Sequence, residues 1–399
     1  MSPPEVSIGS FCSTGSGSTP SSAKPEYFGG GIPWVKSGEL WNNTIDHTEE
    51  TVTQKGMQSA RLKIVPRGSL LVAMHGATVG RTARLDIDAT INQEICHICP
   101  DPTRAKAQYV WHALRAKMPE LLARRGGGAQ PNINQKIIRA TKIPLPPLPE
   151  QRRIADVLDK ADAIRRKREQ AIALTEELLR STFLEMFGDP VTNPKGWEEK
   201  PLGKVIERLD AGWSANGDSR PRSADEYGVL KISAVTSGVF RPEKHKAVSS
   251  AMASRALVTP RRGDLLLSRA NTRELVAATC LVERDEPRLF LPDKIWRIVP
   301  FTHAATTSFL RYLMATPRFR ARFVRTATGT SGSMLNVSKE KLWALSAPIP
   351  PLALQRKFTE IVWTGLHSKE RQRRARIASD TLFASLVDAA FSVPPKSSP

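Results

Sequence analysis

From Glu150 to Phe187 the apolar residues Ile154, Leu158, Ala161, Ile172, Leu179 and Phe183 recur at spacings near three, four and their multiples, with no Pro or Gly between them. That is the period of one face of an α-helix. A Gly-Asp-Pro stop at 188–190 ends it. Thirty-eight helical residues would extend about 57 Å. A second segment, from about Leu354 to Phe391, carries Phe358, Ile361, Val362, Leu366, Ile377, Phe383 and Leu386, interrupted only by Gly365. Helices this long are rarely stable alone, so the economical partner of each is the other. The heptads of the second are imperfect, which predicts coiled-coil-like packing without a readable register.

Before each helix the pattern shortens into strand-like runs. In the first stretch these are Ser69–Met74, Val79–Leu85 and Ile91–Ile98, then a helix from about Arg104 to Arg124. In the second they are Leu230–Ser233, Asp264–Ser268, Leu275–Val282 and Ile295–Val299, then a helix near Ser308–Val324. Each stretch closes in a polar, glycine-bearing loop, GGGAQPNIN (126–134) or GTSGSMLN (329–336), suited to meeting a ligand. The predicted fold class is α+β.

The two halves are copies. IPLPPLPEQRRI (143–154) returns as APIPPLALQRKF (347–358), and NINQ (132–135) lies over NVSK (336–339), both 204 residues on. Further upstream, PRGSLLV (66–72) faces TPRRGDLLL (259–267), and Ile8-Gly9 faces Leu202-Gly203. A period near 200 is too long for a solenoid, so each copy is a domain plus a connector. The organisation this predicts is a first domain over 1–149, a helix over 150–188, a second domain over 196–350, a helix over 351–391 and a disordered tail over 392–399.

Charge then indicates what the copies touch. The 399 residues carry a net charge of +20, with 40% hydrophobic residues for ordinary cores. The first helical segment is balanced at eight cations against eight acids and the second holds seven against four, leaving +17 for the rest. The basic surface therefore belongs to the globular copies and points to phosphate-rich partners, nucleic acid ahead of anionic membrane. No apolar run approaches the length of a spanning helix and no leader pattern opens the chain, so a cytoplasmic location is expected. Four cysteines suggest reduced thiols rather than a disulfide scaffold.

In this order, and twice over, the motifs resemble one family, the specificity subunits of type I DNA restriction-modification enzymes (HsdS-like). The carriers are SGSTP (16–20), GIPWVKS (31–37), QPNINQ (130–135), IPLPPLPEQR (143–152) and FLEMFGDP (183–190), then PLG (201–203), LKISA (230–234), GDLLLSRAN (263–271) and PIPPL (348–352). The second junction lacks the Pro-Glu of the first, and little sequence precedes Ile8. The resemblance implies two target recognition domains, each reading one half of a bipartite DNA sequence, joined by two antiparallel helices that set the gap. It also implies docking of two methyltransferase subunits and, through them, of endonuclease/translocase subunits. The chain itself would be non-catalytic and without cofactor, S-adenosylmethionine residing in the methyltransferase and ATP with Mg in the endonuclease.

Residue chemistry then nominates DNA contacts. In the first copy they are Lys36, Ser37, Arg67, Arg81, Arg84, Arg124, Arg125, Gln130, Asn132, Asn134 and Gln135. In the second they are Lys231, Arg261, Arg262, Arg269, Asn271, Arg273, Arg322, Arg325, Thr328, Ser331, Asn336 and Lys339. Arg matches guanine and Asn or Gln matches adenine in the major groove. The competing reading of each is a solvated charge or a turn residue, and for Asn132 and Asn336, at matched positions, a shared structural turn. The clusters RRKR (165–168) and RQRRAR (371–376) read first as solvated helix faces, with a phosphate-touching ridge as the alternative.

Catalytic patterns fail by context. CHIC (96–99) has half a zinc site's spacing, but no second pair follows and the run is strand-like. GATVGRT (76–82) lacks the lysine and spacing of a phosphate-binding loop, and Glu198 and Lys200 near Asp189 flank a turn. Two other classes stay open: a single-chain DNA-modifying enzyme, which would bind S-adenosylmethionine, and a free-standing DNA-binding regulator, which would need no large partners.

Overall fold

In the computed structural model, residues 3–41, 43–123, 133–249, 256–329 and 335–391 are described. The expected tail over 392–399 lies outside them. The chain divides into two compact units, one of residues 1–168 with 375–399 and the other of residues 169–374. The boundaries fall inside the long helices Leu148–Phe187 and Leu352–Phe391. Each unit thus owns half of each helix.

The first unit is built on a five-stranded sheet ordered Cys12–Ser16, Ile95–Pro100, Leu70–Ala73, Thr82–Leu85 and Asn43–Ile45, antiparallel except for the last pair. A three-stranded sheet pairs Phe28–Val35 with Glu50–Val52 and Thr90–Ile91. Strand Leu70–Ala73 is buried throughout: Leu70 and Val72 face the helix Ala107–Ala123, while Leu71 and Ala73 face a second core around Val35 and Leu85. Burial on both faces is why its sequence is a continuous apolar run rather than an alternation.

The second unit repeats the plan. Its sheet runs Ile206–Ala211, Ile295–Pro300, Leu265–Ser268, Thr279–Leu281, and Leu265 and Leu267 face one core while Leu266 faces another. Gly68 and Gly263 turn the chain into the doubly buried strand at φ +87° and +91°, a region closed to most L-residues.

Within the first unit the start of one long helix packs on the end of the other, Ala155 and Leu158 sharing a core with Phe391. Within the second, Phe187 meets Phe358 at 5.3 Å between ring centroids and Leu179 lies against Gly365. The helix halves run antiparallel in both. An added Cβ at Gly365 would sit 3.0 Å from Leu179, so this glycine admits close helix contact and does not break the helix.

Several expectations change. The helix expected near Ser308–Val324 is two, Thr307–Ala315 and Pro317–Val324. Pro317 cannot donate to the preceding turn and holds Thr316 extended at ψ 133°. Leu230–Ser233 is the end of strand Tyr227–Leu230 followed by a 3-10 turn over Ile232–Ala234. Ile91–Ile98 is two strands parted by a turn in which Ile95 N–H donates to Asn92 O at 3.2 Å. Periodicity alone cannot separate a buried turn from a buried strand.

Candidate nucleic-acid interface

Burial and pairing sort the nominated residues. In the first unit the Lys36 ammonium donates to Glu50 at 2.6 Å, and that bond holds its pKa above the ordinary lysine value. Ser37 is buried with its hydroxyl on Glu94, turned inward rather than toward a ligand. Arg84 bridges to Asp159 at 3.2 Å and lies over Trp111, tying the sheet to the long helix. Asn134 caps the helix Gln135–Ala140 through Ile137 N–H at 2.9 Å, and Gln135 donates to Thr14. Arg67 is exposed beside Asp86 at 2.6 Å. Arg81 stacks on Trp41 at 3.6 Å, and Trp41 is 64% exposed. Arg124, Arg125, Gln130 and Asn132 lie outside the described residues.

The second unit gathers more of its candidates. Strand Ala270–Asn271 pairs with Leu335–Asn336, and Thr328 and Asn336 exchange backbone bonds of 2.9 and 2.8 Å. Asn271, Asn336 and Thr328 therefore share one short ribbon, with Arg269 at its base over Trp296 at 5.4 Å and exposed Arg273 beyond it. Lys339 opens the helix Lys339–Ala344 just past the ribbon. Arg261 and Arg262 occupy the Gly263 turn, and Arg262 lies over Trp363 at 4.8 Å. Arg322 and exposed Arg325 end the helix Pro317–Val324, and Lys231 precedes the 3-10 turn after Leu230. Ser331 lies outside the described residues.

The helix clusters are largely engaged. Arg165 pairs with Asp380 at 2.7 Å, Arg166 with Asp162 at 2.7 Å, Arg373 with Glu283 at 3.6 Å and Arg374 with Glu370 at 2.8 Å, while Arg168 donates to Ala375 O. The CHIC run is strand, Cys96 is buried, and burial pushes its thiol up to about 12. Among the described residues no group of three or more His, Cys, Asp or Glu could hold a metal, and no helix is long and apolar enough to cross a membrane.

Sequence reasoning missed Trp41, Trp296 and Lys294. Trp41 and Arg81 are 40 positions apart, and no local pattern announces their stacking.

Residues 4–174 match the family described as the type I restriction modification DNA specificity domain. The match covers the first repeat and the opening part of the long helix that follows it. It is 30% identical over 174 residues to the specificity subunit of the Escherichia coli type I restriction enzyme EcoEI, covering 43% of this chain and 29% of the relative. It is 30% identical over 219 residues to the MjaIX specificity subunit of Methanocaldococcus jannaschii, covering half of each. The chain thus spans less than two thirds of either relative. The S subunit of the type I restriction-modification system of M. genitalium shares the fold over 99% of this chain and 100% of its own, with a TM-score of 0.62 at 13% identity. The HsdS-like fold of two mixed α/β repeats with paired long helices therefore accounts for the whole chain.

Proposed function

We propose that this HsdS-like chain is the DNA-specificity subunit of a type I restriction-modification enzyme, in which each repeat reads one half of a bipartite target. The observation that carries the reading is that one hydrogen-bonded frame occurs twice with different side chains on its edges. A shared frame with divergent edges suits two unlike half-sites, because backbone contacts position a domain while side chains at base edges specify it. The globular parts, 1–149 and 196–350, would read, and the helices would set the gap.

The partners follow from the helix surface. Val157 and Ile361, and likewise Leu178 and Leu382, are exposed apolar residues 204 positions apart. The same uncovered positions in both units suit two copies of one partner, the methyltransferase subunits, through which endonuclease subunits would join. Chemistry would reside in those partners, with S-adenosylmethionine in the former and ATP with Mg in the latter, in the cytoplasm. Sequencing modified sites in cells carrying the chain and both partners tests the reading. A bipartite motif with a fixed gap is expected; a single contiguous motif, or none, would overturn it.

A further inference from the structure

The two units share a frame at one strand end and differ there in chemistry. In the first, Met74 N–H donates to Glu94 O at 2.8 Å, Met74 O accepts from Ile133 N–H at 2.9 Å, and Ala73 N–H donates to Arg81 O at 2.9 Å. In the second, Arg269 N–H donates to Lys294 O at 3.0 Å, Arg269 O accepts from Val337 N–H at 2.9 Å, and Ser268 N–H donates to Ala278 O at 2.9 Å. Met74 and Arg269 therefore hold one structural position.

Their environments are opposite. Met74 is 5% exposed and belongs to the core, so the first unit has no polar group to offer from this position. Arg269 lies over the Trp296 ring, and its Nε is buried without a hydrogen-bond partner. Among the described residues no carboxylate pairs with it. A guanidinium pinned by an indole face keeps its fork oriented while its donors stay unspent. The following loop adds Asn271 and Arg273, with Glu274 the acid beside them, and Lys294 replaces Glu94 on the neighbouring turn. An unpaired, oriented fork beside a ribbon carrying two asparagines matches the acceptor pair N7 and O6 of guanine.

Building on the function proposed above, we infer that Arg269 is the residue with which the second unit reads a guanine, and that the first unit reads no base from the matching position. The test is modified-site sequencing with the full chain assembled with its methyltransferase subunits, comparing Arg269→Met and Arg269→Lys with the parent. Both variants are expected to relax one G·C position in one half-site by about 5- to 150-fold, leaving the other half-site unchanged. Lysine keeps the charge but loses the bidentate fork, so its result decides the matter should the methionine variant fold poorly. An unchanged motif in the lysine variant would overturn the inference. So would uniform loss of modification at every position, which marks a phosphate or packing role. A parent chain giving no bipartite motif would instead defeat the proposed function itself.

Discussion

Gln151 and Gln355, 204 positions apart, are both fully buried and make the same three hydrogen bonds, each in its own unit. Gln151 accepts from Lys106 N–H at 2.9 Å and donates to Arg104 O and Pro146 O at 3.0 and 2.8 Å. Gln355 accepts from Thr306 N–H at 3.0 Å and donates to Ala304 O and Pro350 O at 3.2 and 2.9 Å. One amide thereby joins a loop, a proline-rich junction and the first turn of a long helix. Replacing either by Leu removes all three bonds at a buried side chain, and about 2–4 kcal/mol of stability should be lost. Urea unfolding of the full chain measures it; a loss below about 1 kcal/mol would mean that water replaces the amide.

A second expectation concerns acid. Burial pushes the Glu176 carboxyl up, but Arg311 and Lys369, at 3.1 and 2.6 Å, outweigh it and hold its pKa below the ordinary value. A carboxylate depressed in the folded state contributes stability that is complete above its unfolded pKa of about 4.3 and lost as pH falls through the folded value. Stability of the second unit should therefore decline below about pH 4.3. Glu176→Gln should blunt that decline and cost about 3–5 kcal/mol at neutral pH, because it strands two buried cations. Denaturation midpoints across pH decide it.

Docking should be separable from folding. Leu178 and Leu382 are 61% and 58% exposed, so Leu178→Glu and Leu382→Glu should leave the melting temperature nearly unchanged. Each should weaken co-purification with methyltransferase, and the double variant should abolish it. Undiminished assembly of the double variant would place the partner elsewhere.

The spacing role can be tested by insertion. Four residues after Ala171 add about 6 Å to a continuous helix and rotate its faces by only about 40°, so the fold should survive. The modified sites should then show a gap longer by about one or two base pairs, at roughly 3.4 Å each. Two inserted residues would turn the apolar face most of the way round and should destabilise the chain. An unchanged gap in a folded, active four-residue variant would show that the helices do not set it.

The sequence by itself determined the duplication, the two long helices and the strand runs around Leu70 and Leu265, because each is written in local pattern. A helix face needs only its period, and a buried strand only an apolar run. The matched PPL junctions likewise announced two equivalent helix starts, and Gln151 and Gln355 stand inside them. Tertiary structure alone decided which candidates are free to meet a ligand. Lys36, Ser37, Arg84 and Asn134 have the right chemistry, but Glu50, Glu94, Asp159 and the helix after Asn134 already occupy them. Each of these partners except the helix lies well away in sequence, and a side chain's pairing depends on distances that only the fold creates. Arg269 differs from Arg84 in just this respect: both are arginines over a tryptophan, and among the described residues only Arg84 is paired with a carboxylate.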